Sequence, residues 1–331
     1  MKAVIPVAGA GLHIRPQKQI PNTALIPIGG KPILAHIVDN LINSGINEFV
    51  FITGYLADKI EHFITHRYPQ IQSEFVFQSK REGLGHAIWQ AGDYIRHEDE
   101  ILIVLGDTLF EVNLQHVLDE SYSSLGVHKV NNPSHFGIAE VNNKGRVIKL
   151  VEKPIMPKSN LALVGLYKIL QPAKLVEALD INIKKNIRNR NEFQLIDGLM
   201  KLIEGGEIYT TFNVTNWYDC GKREILIRTN ELFLNRTQSN TDTNQEFQNT
   251  IIKQPVYIGK DCMISNSIIG PNVTISENTV VDYCIIKNSV VGSYASLKNI
   301  VLQNTIIGSD ATIHGQSQSL NLADNSELVF E

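Results

Sequence analysis

From residue 258 to residue 313 an aliphatic side chain recurs at every fifth or sixth position, and no other feature restricts the fold of this chain so tightly. The series is Ile258, Ile264, Ile269, Ile275, Val281, Ile286, Val291, Leu297, Leu302, Ile307 and Ile313, with small or polar followers such as Gly259, Ser265, Gly270 and Ser276. This is the hexapeptide pattern of a parallel β-helix, in which each aliphatic residue points inward at a coil corner and its follower faces the turn. One coil takes roughly three such units, so the segment is expected to make about three coils. A β-sandwich, with strands of period two, offers no reason for a register of five and six.

Before the repeats the pattern is different. Apolar runs alternate with helical patterns: strand near 2–8, helix near 32–44, strand 48–53, helix 56–66, strand 74–77, helix 84–95 and strand 101–105. Such alternation predicts an α/β domain, a Rossmann-like mainly parallel sheet with flanking helices, followed here by the short left-handed parallel β-helix. Residues 235–250 are polar and carry no apolar period to bury, which marks a linker. The expected organisation is thus a domain over 1–234, a linker over 235–250 and a repeat domain over 251–331, within what 331 residues allow.

A net charge of −4 gives no basis for binding a polyanion, so no nucleic-acid partner is expected. The opening Met1-Lys2-Ala3-Val4-Ile5 is too short an apolar run for a signal peptide, and no stretch approaches the roughly 20 apolar residues of a membrane span. The expectation is a cytoplasmic protein with no membrane partner. Cys220, Cys262 and Cys284 show no Cys-x-x-Cys spacing and read as small buried hydrophobes rather than as disulfide or zinc ligands.

The first apolar run, Ala3–Val7, leads into a glycine-rich loop, Ala8-Gly9-Ala10-Gly11-Leu12-His13-Ile14-Arg15-Pro16. Glycines at the carboxyl end of a strand allow main-chain N–H groups to face an anion, and nucleotides bind at that edge of open parallel sheets. The spacing is neither the dinucleotide fingerprint nor the P-loop. Further segments give the loop its context: Leu25–Leu34, Glu82-Gly83-Leu84-Gly85-His86-Ala87, Ile101-Leu102-Ile103-Val104-Leu105-Gly106-Asp107, Ser134–Val141, Val151-Glu152-Lys153-Pro154, Ser159–Tyr167, Glu192–Asp197 and Trp217-Tyr218-Asp219-Cys220-Gly221. Together they resemble the sugar nucleotidyltransferases, which join a nucleoside triphosphate to a sugar 1-phosphate and release pyrophosphate. The glucose-1-phosphate thymidylyl- and uridylyltransferases and the mannose-1-phosphate guanylyltransferases are the similar groups.

The resemblance implies a set of roles. Ala8, Gly9, Gly11, Gln78, Gly83 and Asp107 would bind the nucleotide, Gln78 by pairing its amide with a base edge and Gly83 by leaving room for the ring. Asp107 and Asp219 would hold Mg2+, which favours one or two carboxylates together with phosphate oxygens and water. Gly137, Glu152, Lys153, Gly165 and Tyr167 would bind the sugar phosphate, with Lys153 a compact point charge for a phosphate oxygen. Lys153 and Arg15 are the catalytic candidates. His86 reads as a helix-start residue, and Glu192–Asp197 as a helix opening with a sugar or ribose contact within reach.

The chain departs from the family pattern in its opening loop. Leu12 and His13 stand where the motif has a hydroxyl residue and arginine, and Asn22 and Thr23 where it has proline and lysine. Losing one preorganised charge of this kind typically costs about 10²–10³ in rate. Arg15, Lys18 and Lys31 remain in the same segment. Two functions are therefore compared: a magnesium-dependent sugar-1-phosphate nucleotidyltransferase, and a catalytically degenerate relative that binds a nucleotide sugar as a regulatory or sensor protein. An acyltransferase activity in the repeats has little support, because His314 is the only histidine there. A short β-helix packs against its own catalytic domain or a neighbouring subunit, so a homo-oligomer is expected.

Overall fold

The computed structural model describes residues 1–9, 22–236 and 247–316. The described part of the chain forms two compact units, Met1–Thr229 and Asn230–Glu331. Among the described residues no helix is long and apolar enough to cross a membrane.

The first unit is built on a nine-stranded sheet. In chain order its elements are β1 (Lys2–Pro6), α1 (Ile33–Asn43), β2 (Glu48–Thr53), α2 (Ala57–Arg67), β3 (Gln72–Phe77), α3 (Leu84–Gln90), β4 (Ile101–Val104), β5 (Ser123–Lys129), β6 (Gly137–Val141) and β7 (Val147–Glu152). They continue with β8 (Leu161–Ile169), α4 (Pro172–Lys184), α5 (Leu195–Glu204), β9 (Tyr209–Asn213) and the start of α6 (Arg223–Arg236), whose residues from Asn230 on belong to the second unit. The main path runs β7-β6-β8-β4-β1-β2-β3, with β5 also beside β8 and β9 beside β5.

The alternating segments read from the sequence form the parallel core of this sheet: β1 lies between β2 and β4, and β3 extends the row, all parallel. The second half differs, because β8 runs antiparallel to β4, β5 and β6 and reverses the sheet's direction at β4. The sheet is therefore mixed: the parallel core comes from the first hundred or so residues, and a second parallel pair, β9 beside β5, lies beyond the antiparallel β8. β4 is buried along its whole length, as an uninterrupted apolar strand covered on both faces should be. α1 buries Ile33, Leu34, Ile37, Val38 and Leu41, the three-and-four spacing of one helix face. Ile88 of α3, Leu175 and Leu179 of α4 and Leu195 and Leu199 of α5 share one core with Val4, Val50 and Ile103 of the sheet.

In the second unit the aliphatic repeat closes into stacked parallel coils. Its pairing register gives three inward columns: Ile252-Ile269-Ile286-Leu302, Ile258-Ile275-Val291-Ile307 and Ile264-Val281-Leu297-Ile313. Each column has four levels where the repeat spacing predicts about three. The eleven residues of the series already fill four levels in two columns, and Ile252, which precedes the series, stacks on Ile269 and completes the third. Corner residues Asn266, Asn272, Asn288, Asn299 and Asn304 all have left-handed backbone, the conformation that asparagine tolerates better than other non-glycine residues. Their side chains add a ladder, Asn272 Nδ2 donating to Asn288 Oδ1 at 3.1 Å. Asn230 and Glu231 also belong to this unit, since Thr274 Oγ1 donates to Asn230 Oδ1 at 2.7 Å and Asn272 Nδ2 to Glu231 Oε1 at 3.1 Å. All three cysteines are free and buried.

Candidate active site

The carboxyl ends of β1, β2 and β4 converge. Gly106 donates its N–H to Pro6 O at 3.3 Å, and a Cβ there would fall 2.3 Å from Val7 Cγ1, so only glycine lets the end of β4 lie against the end of β1. Asp107 follows directly and stands beside Ala8 and Gly9 in one cavity wall. That cavity, of about 440 Å³, is also lined by Asn22, Thr23, Gln78, Arg81, Gly83 and Glu192. A second cavity, of about 510 Å³, is lined by Ser134, His135, Phe136, Gly137, Glu152, Tyr167, Arg190, Trp217, Asp219 and Lys222, among others. The two cavities share Leu84, Leu105, Asp107, Lys153 and Gly221.

The junction between them carries the charges. Asp219 ends a strand, Asn216–Asp219, that pairs antiparallel with Thr108–Glu111, so Asp219 lies opposite Thr108 and next to Asp107 in space. A Cβ on Gly221 would sit 3.1 Å from Asp219 Oδ1 and 3.6 Å from Asp107 Oδ2, so both carboxylates reach one point. Two hard oxygen donors at one point fit a divalent cation that takes its remaining ligands from phosphate and water. Among the described residues no cluster of three or more His, Cys, Asp or Glu forms a complete protein cage for a metal.

Lys153 is held from both sides. Its N–H donates to Phe136 O at 3.0 Å, its carbonyl accepts from Arg190 Nη2 at 2.6 Å, and its φ of +42° is left-handed. Such a conformation in a lysine persists only when its surroundings determine it. Its Nζ lies 3.6 Å from Glu152 Oε1. Glu152 faces Gly137 across the β6–β7 pair, and burial pushes its carboxyl above the ordinary glutamate range, with Lys153 and Arg190 opposing. Tyr167 is buried in the same wall, and burial followed by the nearby Glu152 pushes its phenol well up.

On the other side Gln78 is buried, and its Nε2 donates to His86 Nδ1 at 3.2 Å and to Gly83 O at 3.3 Å. Accepting at Nδ1 leaves the proton of neutral His86 on Nε2, 3.6 Å from Glu82 Oε2. Burial holds the imidazole below its ordinary range. Glu82 in turn pairs with Arg188 Nη2 at 2.7 Å, and Arg188 lies 4.0 Å over the Phe193 ring.

Most of the residues singled out in the sequence meet in this cleft, but three glycines do something other than expected: a Cβ on Gly137 would fall 2.4 Å from Ile196 Cδ1, so its bare Cα admits that side chain, and Gly83 and Gly165 are likewise filled by protein. Gly83 lines the first cavity at φ +109°, yet an added Cβ would strike Phe193 O at 2.6 Å; its missing side chain admits the 192–194 segment rather than only a ring. Gly165 lines neither cavity among the described residues, and a Cβ there would lie 2.5 Å from Leu105 Cδ1. Its φ of +85° and bare Cα let Leu105 fill the wall shared by both cavities. Asn22 does structural work where the family pattern has proline: its Nδ2 donates to Val7 O and Tyr55 O, and its Oδ1 accepts the Ala24 N–H at 3.0 Å. Gly11, His13, Arg15 and Lys18 lie outside the described residues. Sequence reasoning missed Arg81, His135, Arg190 and Lys222. Lys222 directly follows the Trp217–Gly221 segment and was within reach of a motif reading, whereas nothing in the sequence around Arg190 announces its contact with Lys153.

Comparison with known proteins accords with this geometry. Residues 2–236 match the model of the family described as nucleotidyl transferase. The bifunctional protein GlmU of Methanococcus vannielii is 31% identical, across 99% of this chain and 83% of its own. A glucose-1-phosphate thymidylyltransferase of Streptomyces griseus is 27% identical, across 91% of this chain and 89% of its own. A crystal structure of UDP-glucose pyrophosphorylase complexed with UDP-glucose superposes with a TM-score of 0.60 at 22% identity, covering 71% of this chain and 98% of that one, and establishes likeness of fold.

Proposed function

The chain belongs to the nucleotidyl transferase family, and on that premise we propose that it couples a nucleoside triphosphate to a sugar 1-phosphate, releasing pyrophosphate. The observation that carries this reading is the pair of cavities that meet at Asp107, Lys153 and Gly221, one for each substrate, with the charged groups at their junction. The Streptomyces griseus relative, named for glucose 1-phosphate, makes that sugar phosphate the first substrate to try.

In the proposed reaction an oxygen of the sugar 1-phosphate forms a bond to the α-phosphorus while the bond from that phosphorus to the bridging oxygen breaks. Pyrophosphate leaves with the electron pair. The attacking phosphate has a second pKa of about 6 and is already largely dianionic at neutral pH, so no general base is needed. Catalysis then reduces to placing the reactants and neutralising charge. Lys153, fixed by Phe136 and Arg190, meets the sugar phosphate. Glu152, opposite Gly137 in the sheet, accepts sugar hydroxyls, with Tyr167 behind it as wall. Ala8, Gly9 and Gln78 hold the nucleotide, with the buried His86 bond fixing the Gln78 amide. Gly165 acts indirectly, through Leu105. Asp107 and Asp219 would hold magnesium, which would supply positive charge to offset that of the phosphates. Arg15 is assigned to the departing pyrophosphate.

A second reading, binding of a nucleotide sugar without turnover, is favoured by one feature: Thr23 is buried in the nucleotide-cavity wall, where the family motif has lysine. Pyrophosphate release from a panel of nucleoside triphosphates and sugar 1-phosphates with magnesium, beside calorimetry with the matching nucleotide sugars, separates the two. Release that needs both substrates supports the transferase, and saturable binding with no release supports the second reading. We also propose self-association through the repeat unit, where Ile251, the half-buried Ile268, Ile285 and Val301 stack in one outward column and the first, third and fourth have relative exposures of 56%, 46% and 71%. A monomeric mass in light scattering at micromolar concentration would remove that proposal.

A further inference from the structure

We infer that Lys222 is a phosphate-binding residue of this cleft, meeting the phosphate of the sugar 1-phosphate opposite Lys153. The inference rests on the functional reading above and adds a residue that the motifs of the family did not bring to notice.

Three observations converge on it. The first is position: Lys222 lines the sugar cavity and directly follows Gly221, which lines both cavities beside Asp107 and Asp219. The second is how the side chain is held. Its Nζ lies 5.3 Å from the centre of the Phe136 ring, a cation–π contact that steadies an ammonium without neutralising it. The ring is itself packed edge-on against Trp217 at 4.9 Å. Phe136 is also the residue whose carbonyl fixes the backbone of Lys153, so one residue carries both lysines, one by its ring and the other by its main chain.

The third is charge. Lys153 lies 3.6 Å from Glu152, which draws on part of its charge, whereas Lys222 makes no ion pair among the described residues. The cavity presents the carboxylates of Asp107, Glu152 and Asp219 to a substrate that is itself a dianion, and like charges at short range disfavour binding unless cations intervene. An ammonium held on an aromatic face, not committed to a carboxylate, is suited to that task, and a charge-assisted bond to phosphate is among the stronger polar contacts.

The test uses the full chain and the best substrate pair from the panel, with glucose 1-phosphate as the first sugar phosphate. Lys222→Met keeps the apolar stem on Phe136 and removes the charge. It is expected to raise KM for the sugar 1-phosphate about tenfold or more and to weaken competitive inhibition by inorganic phosphate in parallel, with KM for the triphosphate within about twofold. Lys222→Arg is expected to restore most of the loss. Phe136→Leu, which leaves the main-chain bond to Lys153 in place, is expected to give a smaller rise in the same KM. A wild-type enzyme that turns over together with a Lys222→Met variant of unchanged KM would overturn the assignment and leave the functional reading standing. Equal rises in both KM values that arginine does not rescue would make Lys222 structural and overturn it as well. A wild type that neither binds nor turns over any pair would overturn both.

Discussion

On the side proposed for the sugar phosphate, Lys153, Arg190 and Lys222 line a cavity with the half-buried Glu152, whereas on the side proposed for the nucleotide Thr23 and Asn22 occupy the wall and Arg81 and Lys153 are its cations among the described residues. The two sides also differ in where their residues come from. The sugar side is assembled from β6, β7, the 186–194 loop and the segment leading into α6. The nucleotide side leans on the ends of β1 and β4 and on the turn before α3. Among the described residues the cations are more numerous on the side proposed for the sugar phosphate, while the other side rests on the backbone of the parallel core and on the Gln78 hydrogen bonds.

Removing charge from the richer side should have the largest effect. Lys153→Met should lower kcat for pyrophosphate release by about 10²–10³, the usual consequence of deleting one preorganised charge at a transition state; a loss under threefold would show that the sugar side does not carry the electrostatics. Adding charge to the poorer side is the reciprocal experiment. The double variant His13→Arg with Thr23→Lys should raise the rate by tenfold or more, since one positioned cation is worth about 10²–10³, and an unchanged rate would mean that the nucleotide side lacks nothing.

A smaller effect belongs to the shared wall. Gly165→Ala should lower stability by about 1–3 kcal/mol in urea denaturation, the range for overpacking a filled core, because its Cβ would meet Leu105 at 2.5 Å and φ is +85°. If Gly165 instead touched the sugar directly, KM for the sugar 1-phosphate would change with little loss of stability.

The smallest effects separate the two sides by pH. Burial pushes Glu152 up, so the folded state favours its proton; that contribution to stability is present below the ordinary glutamate value of about 4.3 and fades as pH rises through the raised folded value. Burial pushes His86 down, so its contribution is present above about 6.5 and is lost as pH falls through the lowered folded value. Thermal melts should therefore show a smaller loss of Tm than wild type on acidification from about pH 7 to about pH 5 for His86→Gln, whose side chain does not titrate. Glu152→Gln should show a smaller loss in the opposite direction. Parallel pH profiles for wild type and both variants would contradict this division.

Much of the architecture was legible before the structure because it depends on local repetition. The β-helix columns follow from aliphatic spacing alone, and their corners are marked by asparagines such as Asn266, Asn272 and Asn288, which accept left-handed backbone readily. Tyr283 and Tyr294 adopt the same left-handed conformation at equivalent corners with no residue-type signal at all. The parallel core was legible for a similar reason, since β1, β2 and β3 are each followed by a helix within one stretch of chain. The antiparallel half was not, because the place of β8 depends on pairings with β4, β5 and β6, set by tertiary packing rather than by period. In the site, Asp107, Lys153 and Asp219 stood in recognisable segments. Arg190 reaches Lys153 through a loop with left-handed backbone at positions 190 and 191, a geometry no spacing rule reports.

The central claim is that one nucleotide and one sugar phosphate are joined at the Asp107–Lys153 junction. Phosphorus NMR of the wild-type protein with magnesium, a nucleoside triphosphate and glucose 1-phosphate tests it most directly. The account predicts that the sugar phosphate resonance gives way to coupled diphosphate signals of a nucleotide sugar as pyrophosphate accumulates, and that nothing changes when either substrate is omitted. Nucleoside monophosphate and pyrophosphate formed without the sugar phosphate, or unchanged spectra with every pair in the panel, would contradict it.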